Sequence, residues 1–205
     1  MSEPALQEDK MPGDVVYAPF VGRSFGDGKT RLLILGESHY GFGREDSGAT
    51  DLVVSGWQKG DNKLRFLTVL ARLLHGKSAS DIDRSSAFEE VAIYNYHQAP
   101  ILEGKSTDFS VSADQSRAAF LQVIDDLKPT HIYVNGVSKL WSALPEGKAS
   151  GRMKLADQER PFRIYDADGE KALAVPFPHA SRMSADAWRD VYDNFIEWRG
   201  SDIFG

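Results

Sequence analysis

The chain of 205 residues contains no cysteine. Disulfides, thiolate zinc sites and iron–sulfur clusters held by cysteine are therefore excluded, and this composition suits a reducing compartment. No apolar run approaches the roughly 20 residues of a membrane span. The first ten residues, MSEPALQEDK, lack the basic start and the apolar stretch of a signal peptide. We therefore expect a cytoplasmic protein without a membrane partner.

Positive charge is also in short supply. Lysine and arginine number 24 against 30 aspartate and glutamate residues, so the net charge is -6. Domains that bind nucleic acid over a broad surface are usually basic, and the acidic balance counts against such a surface. Hydrophobic residues make up 41% and charged residues 26%, which is ordinary for a globular protein. The length suits one domain with its own core.

Apolar strand patterns alternate with helical patterns after residue 30. Strands are predicted over 31–35, 91–95, 131–135 and 172–177. Helices are predicted over 61–76, 112–129, 137–144 and 184–198. This alternation is typical of an α/β sandwich. We predict a three-layer α/β/α sandwich with a central four-stranded, mainly parallel sheet over residues 31–205, preceded by an N-terminal arm of residues 1–30 that contains a short strand.

Two further segments are predicted to be loops. Residues 146–160 form a polar, basic stretch, which favours an irregular loop before a hairpin that ends in the fourth strand. The segment VVSGWQKG follows the loop after the first strand and carries Trp57. In a loop at that place, the indole of Trp57 would be free to stack on a planar base.

Polar residues follow all four strands at the point where each strand ends. They stand in the stretches GESHY after the first strand, NYHQ after the second, NG after the third and PHASR after the fourth. Ligands of open parallel sheets bind beyond the carboxyl ends of the strands. The sequence therefore predicts a site at this edge of the sheet.

The residue types at this edge suit recognition of a planar, polar ligand. Gly36 permits a sharp turn and a close approach to the backbone, and Glu37 with Ser38 would hold a water or act as base and acceptor. Asn95 offers both a donor and an acceptor, and His179 would stabilise charge on a leaving group.

Two further histidines, His39 and His97, are plausible neighbours in the site, but no spacing resembles a zinc motif. We expect neither a metal nor a cofactor.

Four stretches in order resemble the motifs of the uracil-DNA glycosylase superfamily. LLILGESHYG is similar to the first motif, which reads Gly-Gln-Asp-Pro-Tyr-His in one branch and Gly-Glu-Ala-Pro-Gly in another. AIYNYHQAP resembles the strand that ends in the base-recognising asparagine. The third-strand segment of the superfamily is similar to LKPTHIYVNGVSKLWSAL. PFPHASR resembles the second motif, His-Pro-Ser. The resemblance covers roughly residues 31–198.

This resemblance implies a nucleobase-excising hydrolase that acts on uracil or another modified base in DNA. Asn95 would bind the Watson–Crick edge of an extruded base, and His179 would stabilise the anionic leaving group. Tyr40 stands where one branch excludes a 5-methyl group. Ser181 would contact a phosphate, with Arg182 beside it.

Glu37 matches the glutamate of the second branch, and with His179 it forms the implied catalytic pair; Gly36 and Ser38 would border the base. The implied partner is DNA with an extruded base, single-stranded DNA included, or a free nucleobase or nucleotide.

The sequence also departs from the superfamily pattern. Ser38 stands where the most active branch has a water-orienting aspartate, and His39 and Ala180 replace motif prolines. These departures keep open a non-catalytic relative that binds a nucleobase, a nucleotide or DNA through the same pocket. A third hypothesis is a different hydrolase, because LGESHYG is also similar to the Leu-Gly-Glu-x-x-His-Gly stretch of erythromycin-esterase-like proteins, although those chains are much longer.

Overall fold

The computed structural model describes residues 15–43, 46–101 and 106–199. Within them the chain adopts an α/β fold around a mixed sheet of seven strands. The strands are β1 (Phe20–Val21), β2 (Leu32–Gly36), β3 (Val91–Asn95), β4 (His131–Asn135), β5 (Ala149–Leu155), β6 (Gln158–Ala167) and β7 (Glu170–Phe177). The α-helices are α1 (Ala49–Lys59), α2 (Arg65–His75), α3 (Ala113–Leu127), α4 (Lys139–Ala143) and α5 (Arg189–Glu197). No helix in this part of the chain is long and apolar enough to cross a bilayer.

The four predicted strands form the centre of the sheet. β3, β2, β4 and β7 lie side by side in that order, and each pair is parallel. The whole sheet is wider than predicted, because β1 pairs antiparallel with β3 at one edge and β6 and β5 add two antiparallel strands at the other. The predicted α/β class is confirmed. The predicted number of four strands is wrong, because the sheet has seven. Of the predicted N-terminal arm, residues 1–14 lie outside the described residues.

The predicted loop over residues 146–160 is mostly strand. β5 pairs with β6 from Ala149 opposite Ile164 to Leu155 opposite Gln158, and the turn between them places Ala156 at a left-handed φ of 52°. β5 is an edge strand whose inward-facing residues Ala149, Met153 and Leu155 pack on the core, whereas the residues between them are exposed. The sequence therefore does alternate as a half-buried strand should, but Gly151 and the charged residues on either side of it favoured the loop prediction. The charged residues that suggested a loop are the solvent face of this hairpin.

Helices cover both faces of the sheet. Alternate residues of a strand point to opposite faces. Leu32 and Ile34 of β2 pack in the cluster that contains the buried residues of α1, α2 and α5. Leu33 and Leu35 pack in the other cluster, with α3 and α4. Strands buried on both faces read as continuous apolar runs, which is why these strands could be located from the sequence.

Trp57 lies in helix α1, and the prediction of an accessible loop tryptophan is wrong. Its side chain is 2% exposed and packs against Phe88, with 5.3 Å between the ring centroids. Its indole N–H donates to Thr68 Oγ1 at 3.2 Å, and the Arg84 guanidinium lies 4.3 Å from the ring centroid. Trp57 is therefore a core residue that holds α1 on the sheet, and its ring is not available for base stacking.

We expect Trp57→Ala to lower the free energy of unfolding by about 3–5 kcal/mol, because it leaves a large cavity in the core. Urea denaturation measures this loss. Leu52→Ala in the same helix is the matched control, since Leu52 is 61% exposed and a surface substitution usually changes stability by less than about 0.5 kcal/mol. Equal stability of the two variants would contradict the core position of Trp57.

Candidate active site

The carboxyl ends of the central strands meet along one line. Gly36 is in register with Asn95, and Asn135 with Phe177. The segments that follow these residues therefore leave the sheet at the same edge, as the sequence predicts.

A cavity of about 550 Å³ lies at this edge. Among its lining residues are five of the predicted site residues, together with one lysine at the start of α4: Glu37, Tyr40, His179, Ser181, Arg182 and Lys139. The structure thus brings the two predicted catalytic residues and both predicted phosphate-binding residues to one opening.

The turn that follows His179 fixes which ring nitrogen accepts a hydrogen bond. The backbone N–H of Ser181 donates to Nδ1 of His179 at 3.2 Å, and Ser181 Oγ lies 2.8 Å from the same nitrogen. Because a backbone N–H only donates, Nδ1 is the acceptor and a neutral ring carries its proton on Nε2. No described residue accepts a hydrogen bond from Nε2, so this N–H is the free donor of the ring.

Burial is the largest influence on the charge of His179. It lowers the pKa of the imidazole, the charge of Glu37 raises that pKa, and Arg182 lowers it. The net effect is a lowered pKa, so His179 is a neutral donor near neutral pH. A neutral imidazole with a free Nε2–H can stabilise an oxygen that gains negative charge.

Asn135 anchors the turn that carries His179. Its side chain is buried, and Oδ1 accepts the backbone N–H of Ala180 at 2.7 Å. From the other side, Arg65 Nε donates to the Ser181 carbonyl at 3.0 Å. The sequence identified Asn135 only as the end of a strand, and a polar residue closing a buried strand was the available signal for this role. Nothing local in the sequence indicated Arg65.

Glu37 interacts with two histidines, His97 and His179. Its carbonyl accepts the backbone N–H of His97 at 3.0 Å, and its charge raises the pKa of both His97 and His179 against the larger, opposing effect of burial. The Glu37 side chain lines the cavity. A carboxylate in this place is able to orient a water molecule or to accept a proton from it.

Asn95 is not among the described residues that line the cavity. Its Nδ2 lies 2.9 Å from Nε2 of His39, whose ring is 4% exposed and also 3.0 Å from Thr50 Oγ1. The backbone carbonyl oxygen of Asn95 accepts a hydrogen bond from Nε2 of Gln98 at 2.8 Å. No described residue donates to Asn95 Oδ1. The sequence-based expectation that Asn95 shares the lining with Glu37 and His179 is therefore not met, because its amide nitrogen is turned to His39.

Gly36 makes room for this arrangement. A Cβ at position 36 would lie 2.1 Å from Oδ1 of Asn95. The absence of a side chain at Gly36 therefore lets the Asn95 amide lie across the end of β2.

Ser38 and Tyr40 are joined through a threonine that the sequence did not single out. Ser38 Oγ lies 2.8 Å and Tyr40 OH 3.1 Å from Oγ1 of the buried Thr107. Tyr40 is 44% exposed and stands at the rim of the cavity. Ser38 is thus bound away from the cavity, and Tyr40 is fixed at its mouth.

In the described part of the chain, no three histidine, aspartate or glutamate side chains are grouped so as to hold a metal ion. The sequence matches no protein-family model and no curated protein.

We expect Gly36→Ala to displace the Asn95 side chain and to cost about 1–3 kcal/mol, as overpacking does. The side-chain amide signals of Asn95 in an ¹⁵N-correlated NMR spectrum report the displacement. Gly28→Ala is the control, since a Cβ there meets its nearest atom at 3.9 Å. Unchanged Asn95 signals in Gly36→Ala would contradict the close packing of these two residues.

His39 should make the protein less stable in acid. Burial lowers the pKa of His39 from 6.5 to about 4. Between these values the unfolded chain binds more protons, so the free energy of unfolding falls as pH decreases. From about pH 7 to about pH 5 this residue accounts for a loss of about 2 kcal/mol.

His39→Gln should remove that part of the loss, which urea denaturation at the two pH values measures. A similar contribution from His131, whose pKa burial also lowers to about 4, stays in place. The same pH dependence in wild type and His39→Gln would contradict a buried, neutral His39.

Proposed function

We propose that the chain is a nucleobase-excising hydrolase of the uracil-DNA glycosylase type, acting on uracil or another modified base in DNA. The observation that carries the proposal is the state of His179: a half-buried, neutral imidazole whose Nδ1 accepts from the Ser181 N–H and whose Nε2–H has no acceptor among the described residues, in a cavity that it shares with Glu37. The four adjacent parallel strands, three of which are followed by segments that line this cavity, and the helices on both faces of the sheet agree with a glycosylase-like three-layer fold.

The proposed reaction cleaves the bond between the sugar C1′ and the base nitrogen. The base leaves with the bonding electrons, and negative charge develops on its carbonyl oxygen. Nε2–H of His179 donates to that oxygen, while Glu37 accepts a proton from the water whose oxygen bonds to C1′. The departing base then takes up a proton. No metal and no cofactor is needed in this scheme.

Recognition of the base is assigned to the residues around Gly36. Reaching a base in DNA requires its extrusion into a pocket that reads its edge. Oδ1 of Asn95 has no donor among the described residues, and we assign to it an N–H of a base edge that passes the lining of the cavity and reaches the end of β2, while Tyr40 borders the base at the rim. Ser181 and Arg182 are assigned to a neighbouring phosphate.

The proposed partner is DNA with an extruded base, including single-stranded DNA, and the proposed compartment is the cytoplasm.

A non-catalytic relative that binds a nucleobase, a nucleotide or DNA is the second candidate. Two observations favour it: Ser38 Oγ is bound to Thr107 instead of facing the cavity, and the amide nitrogen of Asn95 is bound to His39. A serine hydroxyl is in any case a far weaker base than a carboxylate, so only Glu37 is left to activate water.

Excision tests the two candidates. DNA strands that contain uracil, hypoxanthine or xanthine are incubated with the protein, and alkali then cleaves the abasic sites. We expect weak excision by wild type. The excision rate of His179→Ala should be about 10²–10³-fold lower than that of wild type, which is the usual effect of removing one charge-stabilising donor. Glu37→Gln should lose most of its excision activity.

The matched controls are His75→Ala and Glu90→Gln, both exposed and outside the cavity, which should retain the wild-type rate. Excision that survives Glu37→Gln would contradict the proposed mechanism. Binding of the strands without release of any base would favour the non-catalytic candidate.

A further inference from the structure

A second groove of about 630 Å³ lies beside the cavity, between α2 and the segment after β7. Three arginines are among its lining residues, Arg65, Arg72 and Arg182, and none of its described lining residues is acidic. Asp186 pairs with Arg72 at 2.7 Å, but its side chain is 78% exposed, and exposed ion pairs are weak. A chain with a net charge of -6 thus gathers three guanidinium groups in one groove.

The spacing of the arginines suits a row of phosphates. Arg65 and Arg72 are two helical turns apart, so they lie on one face of α2 with their backbones about 10 Å apart along its axis. A nucleic-acid strand carries one negative charge on each phosphate. The separation of the two backbones allows the two side chains to contact different phosphates of one strand, and a guanidinium group matches phosphate oxygens with two parallel hydrogen bonds.

Two of the three arginines have donors to spare. Arg65 uses Nε for the Ser181 carbonyl, and its remaining nitrogens have no partner among the described residues. The exposed side chain of Arg182 makes no hydrogen bond or ion pair with the described residues. Arg182 lines both the groove and the cavity, so the two openings adjoin at its side chain. A strand whose extruded nucleotide occupies the cavity can run past Arg182 along α2.

We propose that the groove of Arg65, Arg72 and Arg182 binds the phosphate backbone of the nucleic-acid strand on one side of the extruded nucleotide. This inference rests on the proposed function for the nucleotide in the cavity, but it concerns a separate surface. It also reconciles strand binding with an acidic chain, because the phosphates meet a local cationic groove instead of a broadly basic face.

The test is the salt dependence of binding to a short, labelled single-stranded DNA with one uracil, measured by fluorescence anisotropy over a series of NaCl concentrations. Each phosphate contact contributes about 0.7 to the slope of log K against log salt for a single strand. We expect Arg65→Gln and Arg72→Gln each to reduce the slope by about that amount, equally for the strand with thymine in place of uracil. Arg152→Gln, on the exposed edge strand β5, is the matched control and should keep the wild-type slope.

The outcomes separate the groove from the proposed catalysis. Wild-type slopes in both Arg65→Gln and Arg72→Gln, with thermal unfolding showing that the variants are folded, would overturn the groove even if wild type excises uracil. Failure of wild type to bind the strand would overturn it as well. Arginine-dependent binding without any excision would support the groove and contradict the catalytic proposal.

Discussion

The parallel register of β3, β2, β4 and β7 is the constraint on which the site depends. Because the four strands are hydrogen-bonded in parallel and are buried on both faces, their carboxyl ends stay aligned. That alignment sets Gly36 beside Asn95 and Asn135 beside the end of β7. A slip of one residue in any strand would turn its core side chains to the opposite face. Core packing therefore fixes the positions of the polar residues at the edge.

The polar residues at this edge form two groups with different environments. His179, Glu37 and the segment after β7 border the open cavity. There Asn135 holds the turn, the Ser181 N–H makes Nδ1 of His179 the acceptor, and burial lowers the pKa of the imidazole. Asn95 is joined to His39, which burial keeps uncharged. Gly36 lies at the boundary between the groups. In the proposed reaction, the departing base belongs to the first group, and its edge is read by the second group through Oδ1 of Asn95, to which no described residue donates.

Central strands and the shared edge could be predicted from the sequence because doubly buried strands leave continuous apolar runs. The β5–β6 hairpin was not predicted, because Gly151 and the exposed, charged Arg152 and Lys154 make the short alternating segment of β5 resemble a polar loop. The helix that contains Trp57 was not predicted, because α1 begins after Gly48 and a glycine gives no side-chain cap that would signal the start of a helix. The pairing of Asn95 with His39, and of Ser38 with Thr107, joins residues far apart in the chain that no local pattern connects. The relationship to uracil-DNA glycosylases stays a prediction.

The protonation state of His179 is the most direct test of the proposed chemistry. Long-range ¹H–¹⁵N NMR of the imidazole distinguishes the two neutral tautomers and the imidazolium, and comparison with His179→Gln assigns the signals. Near neutral pH we expect a neutral ring with its proton on Nε2 and an unprotonated Nδ1 that accepts from Ser181. An imidazolium, or a proton on Nδ1, would contradict the account, because His179 would then lack the free neutral donor assigned to the leaving base.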